Sequence, residues 1–260
     1  MYLRAALSSI PRPRPAGLPD LTLTKVAKAD PQRLAAYQRV CGYRLNERLP
    51  VGYPHIMGFD LSMKLMTRPD FPFPVVGLVH IANRIEQLQP MTSADELTLT
   101  ARVEDLREHP RGYQFDVITS ATLDGAQVWR ESSTYLRITR KQEREQRETS
   151  AVPKPHAIWR IGPEVGPAYA AVSGDRNPIH TSRIGARLFG FPRPIAHGMW
   201  SMARCIAALE GRLPNTYTVD VGFKLPILLP AKVGFVFYGN EFSLFDAKSG
   251  RPHLNGKIAA

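Results

Sequence analysis

The sequence predicts an α+β protein made of two copies of one unit, each a helix followed by an antiparallel meander. Three observations predict it. The pattern Tyr-x-x-Val-x-Gly occurs at Tyr37, Val40 and Gly42 and again at Tyr169, Val172 and Gly174. The segment from Gly77 to Pro90 aligns without a gap on Tyr217 to Pro230, terminal prolines coinciding. Both are followed by runs rich in β-branched and aromatic residues, broken at turn residues. Self-similarity of this kind marks a duplication.

The elements follow in order. "PVGYPHIMGFDLSMKLM" (Pro50 to Met66) and "PIAHGMWSMARCIAALE" (Pro194 to Glu210) both start at proline, bend at Pro or Gly, and continue with apolar residues at helical spacing. They supply the central helices. The proline-closed segments after them read as extended chain. In the first copy, residues 95–106, 113–124 and 128–140 read as antiparallel strands with turns at "HPRG" and "DG". In the second, residues 231–246 and 253–260 carry shorter strand-like material. Such a sheet buries one face, and the helix covers it. Between the copies, Thr139 to Pro155 is the densest charge run and ends in prolines, as a linker does. The chain thus divides into an N-terminal unit (1–138), a linker (139–155) and a C-terminal unit (156–260).

With 260 residues there is chain enough for one large domain or two small ones. Cys41 and Cys205 both lie in apolar segments and read as reduced, buried thiols rather than a disulfide framework. No run approaches the roughly 20 apolar residues of a helical membrane span. The N-terminal "MYLRAALSSIPRPRP" lacks the pattern of a signal peptide. A cytoplasmic protein without stable membrane insertion is expected. The net charge is +11. Residues 1–150 carry 21 Lys and Arg against 17 Asp and Glu, and residues 151–260 carry 13 against 6. An excess placed there suits a phosphate-bearing ligand or an acidic carrier protein. The sequence has no basic run with interleaved aromatics and no zinc-finger spacing, so nucleic acid is not an expected partner.

The copies differ most at "SGDRNPIHTSRIGARLFGFPRPIAHGM", Ser173 to Met199. Opposite Asp175 stands Tyr43, and opposite His180 stands Arg48. Thirteen residues separate His180 from Pro194, where one separates Arg48 from Pro50. Pro178 fixes its own φ and turns Asn177 away from helical conformation. The bend lets a carboxylate and an imidazole face one small volume, and that pair suits general acid–base chemistry. Taken alone, Asp-x4-His also occurs in ordinary turns. Gly198 opens the apolar helix, where unpaired N–H groups can hold a carbonyl oxygen that gains charge. A carbonyl anchor facing Asp175 and His180 fits chemistry at carbons next to a carbonyl. His197 reads as a structural histidine bonded to its own backbone at the helix start. Asp175, His180 and His197 can also be read as metal ligands, but their spacing matches no familiar metal motif. The metal-free, cofactor-free reading is preferred. No serine sits in a nucleophile elbow.

This stretch resembles the hydratase signature of MaoC-like (R)-specific enoyl-CoA hydratases and 3-hydroxyacyl-thioester dehydratases. Tyr169, Ser173, Gly174, Asp175, Asn177, Pro178, His180, Ala186, Gly190, Phe191, Pro194, His197, Gly198 and Met199 fall in register. The resemblance implies a double hot-dog fold, with an antiparallel sheet wrapped round a long helix in each unit and an acyl chain lodged between units. The N-terminal unit would be a degenerate copy that has lost the motif. It further implies reversible hydration of trans-2-enoyl thioesters to (R)-3-hydroxyacyl thioesters in fatty-acid metabolism, on an acyl-CoA or acyl-carrier-protein thioester, without cofactor or metal. Asp175 and His180 would be the dyad that holds the water. The Gly198 N–H would polarise the thioester carbonyl, and Asn177, Ser173 and His197 would support them. Ser182 and Ile206 stand where some relatives carry an aspartate and a serine. The loop missing from the first unit should leave room there for a longer acyl tail. An acyl-CoA thioesterase and a non-catalytic acyl-thioester-binding subunit are the alternatives on the same fold. The fused pair would stand alone or associate as a homodimer.

Overall fold

Alternation of inward and outward side chains builds the sheet. In β3 (Glu96–His109), Leu97, Leu99, Ala101 and Val103 turn inward at every second position. β4 (Gly112–Leu123) and β5 (Ala126–Ile138) continue the pattern through Phe115, Val117 and Trp129. Asp124 and Gly125 between them both take positive φ, 50° and 82°, the backbone of a tight hairpin turn. The structure is a computed structural model, which describes residues 17–140 and 152–260. The N-terminal segment and most of the expected linker (139–155) lie outside the described residues.

With β1 (Leu23–Lys28) and β2 (Leu78–Gln87), the first five strands lie in the order β1-β3-β4-β5-β2. The others are β6 (Ala157–Ile161), β7 (Tyr217–Phe223), β8 (Ala231–Tyr238), β9 (Glu241–Asp246) and β10 (Pro252–Ala259). They repeat the order in mirror sequence, β7-β10-β9-β8-β6. The two sets are joined where Ala82–Gln87 of β2 pairs antiparallel with Tyr217–Gly222 of β7, giving one ten-stranded sheet. This is the predicted α+β arrangement, with its two sheets fused edge to edge. β1 and β6 escaped the sequence reading. Both are edge strands, of six and five residues, too short to carry a strong alternation.

Strand ends give the repeat a second register. Gln87 and Phe223 close β2 and β7. Equating them places Arg84 directly opposite its own counterpart, Asp220, near the middle of the paired stretch. The alignment anchored on Pro90 and Pro230 is four residues away from this one. Those prolines mark where the chain leaves the sheet, and the two exits differ in length.

The repeated Tyr-x-x-Val-x-Gly is a helix end. α1 (Pro31–Cys41) starts at Asp30, whose side chain accepts the Arg33 N–H at 2.7 Å, and stops at Gly42 with φ 80°. α3 (Val165–Ser173) stops at Gly174 with φ 83°. Glycine takes this left-handed conformation without the strain a side chain would add. Between them in the chain, α2 (Tyr53–Met66) carries Pro54 in its first turn and lies on β3 and β4. Its counterpart α6 (Gly198–Ala207) lies against β9. Two short helices, α4 (Pro178–Thr181) and α5 (Arg183–Leu188), occupy the extra loop of the second half.

The helices bind the halves together. The Trp200 indole N–H donates to the Val40 carbonyl at 2.8 Å, and Arg33 Nε donates to the Val172 carbonyl at 2.7 Å. The Tyr37 and Tyr169 rings meet with centroids 6.1 Å apart. Cys41 and Cys205 are buried free thiols, and burial pushes both up from the ordinary thiol range. Among the described residues, no helix is long and apolar enough to cross a membrane.

Trp129 ties the sheet to α2: it is fully buried, and its indole N–H donates to the Val51 carbonyl at 2.8 Å. Trp129→Ala should cost about 3–5 kcal/mol from the cavity and the lost contacts. Urea unfolding followed by circular dichroism measures this, and a loss below about 1 kcal/mol would contradict the packing described.

Candidate active site

The left-handed turn at Gly174 throws the chain away from α3, and three short polar side chains organise the loop beyond it. Ser173 Oγ accepts the Asp175 N–H at 3.1 Å. Asp175 Oδ1 accepts the Asn177 N–H at 3.1 Å, which turns Oδ2 toward two histidines. Asn177 Oδ1 accepts the Ile179 N–H at 3.3 Å and caps α4, with Pro178 as its first residue. His180 is thereby held on a single helical turn. α3 packs directly upon it, because a side chain at Gly166 would run into the His180 carbonyl.

Hydrogen bonds fix both imidazoles. His180 Nδ1 lies 2.8 Å from the Ile195 carbonyl. A carbonyl only accepts, so Nδ1 carries the proton and Nε2 presents a lone pair. His197 Nε2 lies 3.0 Å from the Asp175 carbonyl, so it carries the proton and donates. This differs from the expected bond to its own backbone: His197 is the N-cap residue of α6 but makes no capping bond. It reaches back to hold the Asp175 peptide instead. The two rings stack with centroids 3.7 Å apart. Burial pushes both histidines below the ordinary range, with Asp175 opposing. His197 is also pushed down by His180, to about 3.

Asp175 Oδ2 lies 3.9 Å from Nε2 of His180 and 3.9 Å from Nε2 of His197. That is too long for a direct hydrogen bond and suits a water held in common. Asp175, His180 and His197 each bring a potential ligand atom within 4.8 Å of the others. The Nε2 of His197 is committed as a donor, so the group falls one lone pair short of a three-ligand metal site there. Gly198 opens α6, and its N–H belongs to the first turn, where the helix supplies no carbonyl. The Phe223 ring packs beside it, 3.1 Å from where a Cβ would stand. Tyr169 closes the back of the site, its ring 4.9 Å from that of His197.

The structure brings the six expected residues together: Ser173, Asp175, Asn177, His180, His197 and Gly198. It adds a group that sequence reasoning missed. His55 in the first turn of α2 and Glu131 on β5 form an ion pair at 2.9 Å, with side chains 11% and 1% exposed. Burial would lower His55, but the Glu131 carboxylate outweighs it and holds the imidazole above its ordinary range. The only signal in the sequence is phase: Glu131 occupies the inward register of Trp129.

The low His197 value has a consequence for stability. Its folded pKa, about 3, lies below the ordinary 6.5, so the unfolded chain protonates first as pH falls. The stability involved is fully present above about pH 6.5 and is lost progressively toward pH 3. At pH 5 the loss through this residue is about 2 kcal/mol. Urea unfolding between pH 7 and pH 5 should show a shallower decline in H197Q than in wild type. Parallel declines would refute the neutral, buried assignment.

Comparison with known proteins agrees with the fold. Residues 137–238 match the family model described as MaoC like domain. The chain is 38% identical over 267 residues to 3-hydroxyacyl-thioester dehydratase X of Mycobacterium tuberculosis, covering 98% of this chain and 95% of that one. A shorter match, 36% identical over 75 residues, links 29% of the chain to 56% of the (R)-specific enoyl-CoA hydratase of Aeromonas caviae. The crystal structure of HtdX from Mycobacterium tuberculosis superposes with a TM-score of 0.83 at 37% identity, over 92% of this chain and 99% of that chain. By a sequence match along nearly its whole length and by its fold, the chain belongs to the MaoC-like family.

Proposed function

We propose that the protein is a hydro-lyase that reversibly hydrates trans-2-enoyl thioesters to (R)-3-hydroxyacyl thioesters in fatty-acid metabolism. The observation that carries this is the 3.9 Å gap between Asp175 Oδ2 and the unprotonated Nε2 of His180, beside the Gly198 amide. A water in that gap donates one proton to each acceptor. Its oxygen adds to C3 as an O–H bond breaks toward the Asp175–His180 pair. The C2=C3 electrons move into the thioester as an enolate, whose oxygen the Gly198 N–H stabilises. The pair then returns the proton to C2. Acid and base belong to the coupled pair rather than to either residue. Ser173 and Asn177 hold Asp175, and His197 holds its peptide.

The thioester carrier is read from charge. Arg193, Lys232, Lys248 and Arg251 gather with Asp246 in a groove of about 660 Å³ beside the loop that leads to His197. This excess suits the phosphates of CoA or an acidic acyl carrier protein. The five-plus-five strand order supports the division into units 1–138 and 156–260 joined by residues 139–155. Buried, unpaired Cys41 and Cys205 support a reducing, cytoplasmic setting. Exposed Ile184, Leu188 and Phe189 supply an apolar surface on which two copies would pair, which light scattering measures.

Asp175→Asn and His180→Ala should each lower kcat/KM for trans-2-octenoyl-CoA by about a thousandfold, followed as loss of the enoyl absorbance. Rates equal to wild type would end the proposal. Release of free CoA with the enoyl band intact would establish the thioesterase alternative instead. The first unit, free of the α4–α5 loop, should admit longer tails. Wild type should therefore turn over enoyl-CoAs of eight or more carbons at least as well as crotonyl-CoA. Efficient crotonyl turnover with none at eight carbons would refute that.

A further inference from the structure

The inner face of the first unit is polar where that of the second is not. Asn83, Glu131 and Ser133 point inward from β2 and β5 and are 2%, 1% and 2% exposed. Asn83 pairs across the strands with Ser133, and Ile85 with Glu131. The counterpart pairs in the second half are Val219 with Ile258 and Val221 with Gly256. A shared ancestor of the two halves does not require this cluster, and a buried ion pair such as His55–Glu131 is costly to desolvate.

On this face two buried atoms have no hydrogen-bond partner among the described residues. Asn83 Nδ2 donates to Glu131 at 2.6 Å and to Ser133 Oγ at 3.0 Å. An ionised carboxylate only accepts, so Glu131, kept charged by His55, fixes which way the amide points. Asn83 Oδ1 therefore faces away from it, enclosed and without a hydrogen-bond partner among the described residues. The second atom is His80 Nε2, also enclosed and unpartnered. A bulge between His80 and Ala82 turns His80 to the same face as Asn83, although three positions separate them. The His80 ring lies 4.7 Å from that of Tyr135 and 5.0 Å from that of Phe223, centroid to centroid. Phe223 is the ring packed beside Gly198. The contacts thus run from Gly198, over Phe223, to His80, which shares its sheet face with Asn83.

We propose that His80 and Asn83 form a polar subsite for a hydroxyl group on the acyl chain beyond C3. The proposal rests on the reading of Gly198 as the thioester-carbonyl anchor. Both atoms accept, the His80 ring N–H being turned to the Ala82 carbonyl, so a hydroxyl sets its one proton between Asn83 Oδ1 and His80 Nε2 in a forked bond, where a methylene leaves both unpaired. The substrate class is accordingly acyl thioesters that carry an oxygen along the chain, not plain alkyl chains alone. Phe223 and Tyr135 wall the path, and the His55–Glu131 pair keeps the Asn83 amide oriented.

Calorimetric titration tests this with octanoyl-CoA and with octanoyl-CoAs bearing one hydroxyl at C5, C6, C7 or C8. At least one hydroxylated ligand should bind wild type about tenfold more tightly than octanoyl-CoA. In H80F, which keeps a ring against Tyr135 and Phe223 but has no nitrogen, that ratio should fall to about one or below. N83L should do the same. If it fails to fold, as its circular-dichroism melt would show, H80F decides. Equal affinity across the series in wild type, or a preference that survives in H80F, overturns the subsite and leaves its polar atoms to an ordered water. Turnover of trans-2-octenoyl-CoA is measured alongside. Its absence with the binding ratio intact refutes the hydratase reading and not the subsite.

Discussion

The backbone pairing of β2 with β7 is the constraint on which the molecule depends. It fuses two five-stranded sheets into one and sets two helix-bearing faces side by side. Because the strands run antiparallel, the end of β7 that carries Phe223 lies near the start of β2, where His80 sits. A ring from the second half thus stands between the Gly198 amide of its own unit and a side chain of the other. Arg33 to Val172 and Trp200 to Val40 repeat the linkage on the helix side. The site is assembled at the junction, although the residues assigned to chemistry come from one half.

Within that frame the halves divide their labour. The second half carries the long loop with α4 and α5, two neutral stacked histidines and an open helix start. The first has a short connection in that place and a charged, buried pair beneath its central helix. Burial acts the same way in the two, with opposite outcomes. It prevails at His180 and His197 and pushes both imidazoles down, while in the first half Glu131 overcomes it and holds His55 above its ordinary range.

Much of this was legible in the chain, for reasons that can be named. The loop from Ser173 to Met199 stands out because its polar groups are close in sequence and framed by Gly174, Pro178 and Gly198, so local chemistry fixes the geometry. The antiparallel strands of the two meanders followed from alternation and turns, whereas the edge strands β1 and β6 did not. Three further features were not legible. The partner of His197 lies across the loop, on a carbonyl that residue identity does not mark. His55, His80, Asn83 and Glu131 are scattered over the chain, and only a strand register brings them together. The register given by the strand ends was not visible either, because conspicuous prolines mark chain exits, whereas the ends themselves, Gln87 and Phe223, are unremarkable as residue types.

The start of α2 shows how firmly the first half is shut out of chemistry. Its Tyr53 N–H is already bonded to the Pro50 carbonyl at 2.7 Å, and the next residue, Pro54, has no N–H to offer. An aspartate and a histidine placed at the positions of Tyr43 and Arg48 would face a helix whose first two residues offer no free amide. The first half keeps the helix and its cover but not the open amide of Gly198, and under that helix it carries a polar face where the second half is apolar.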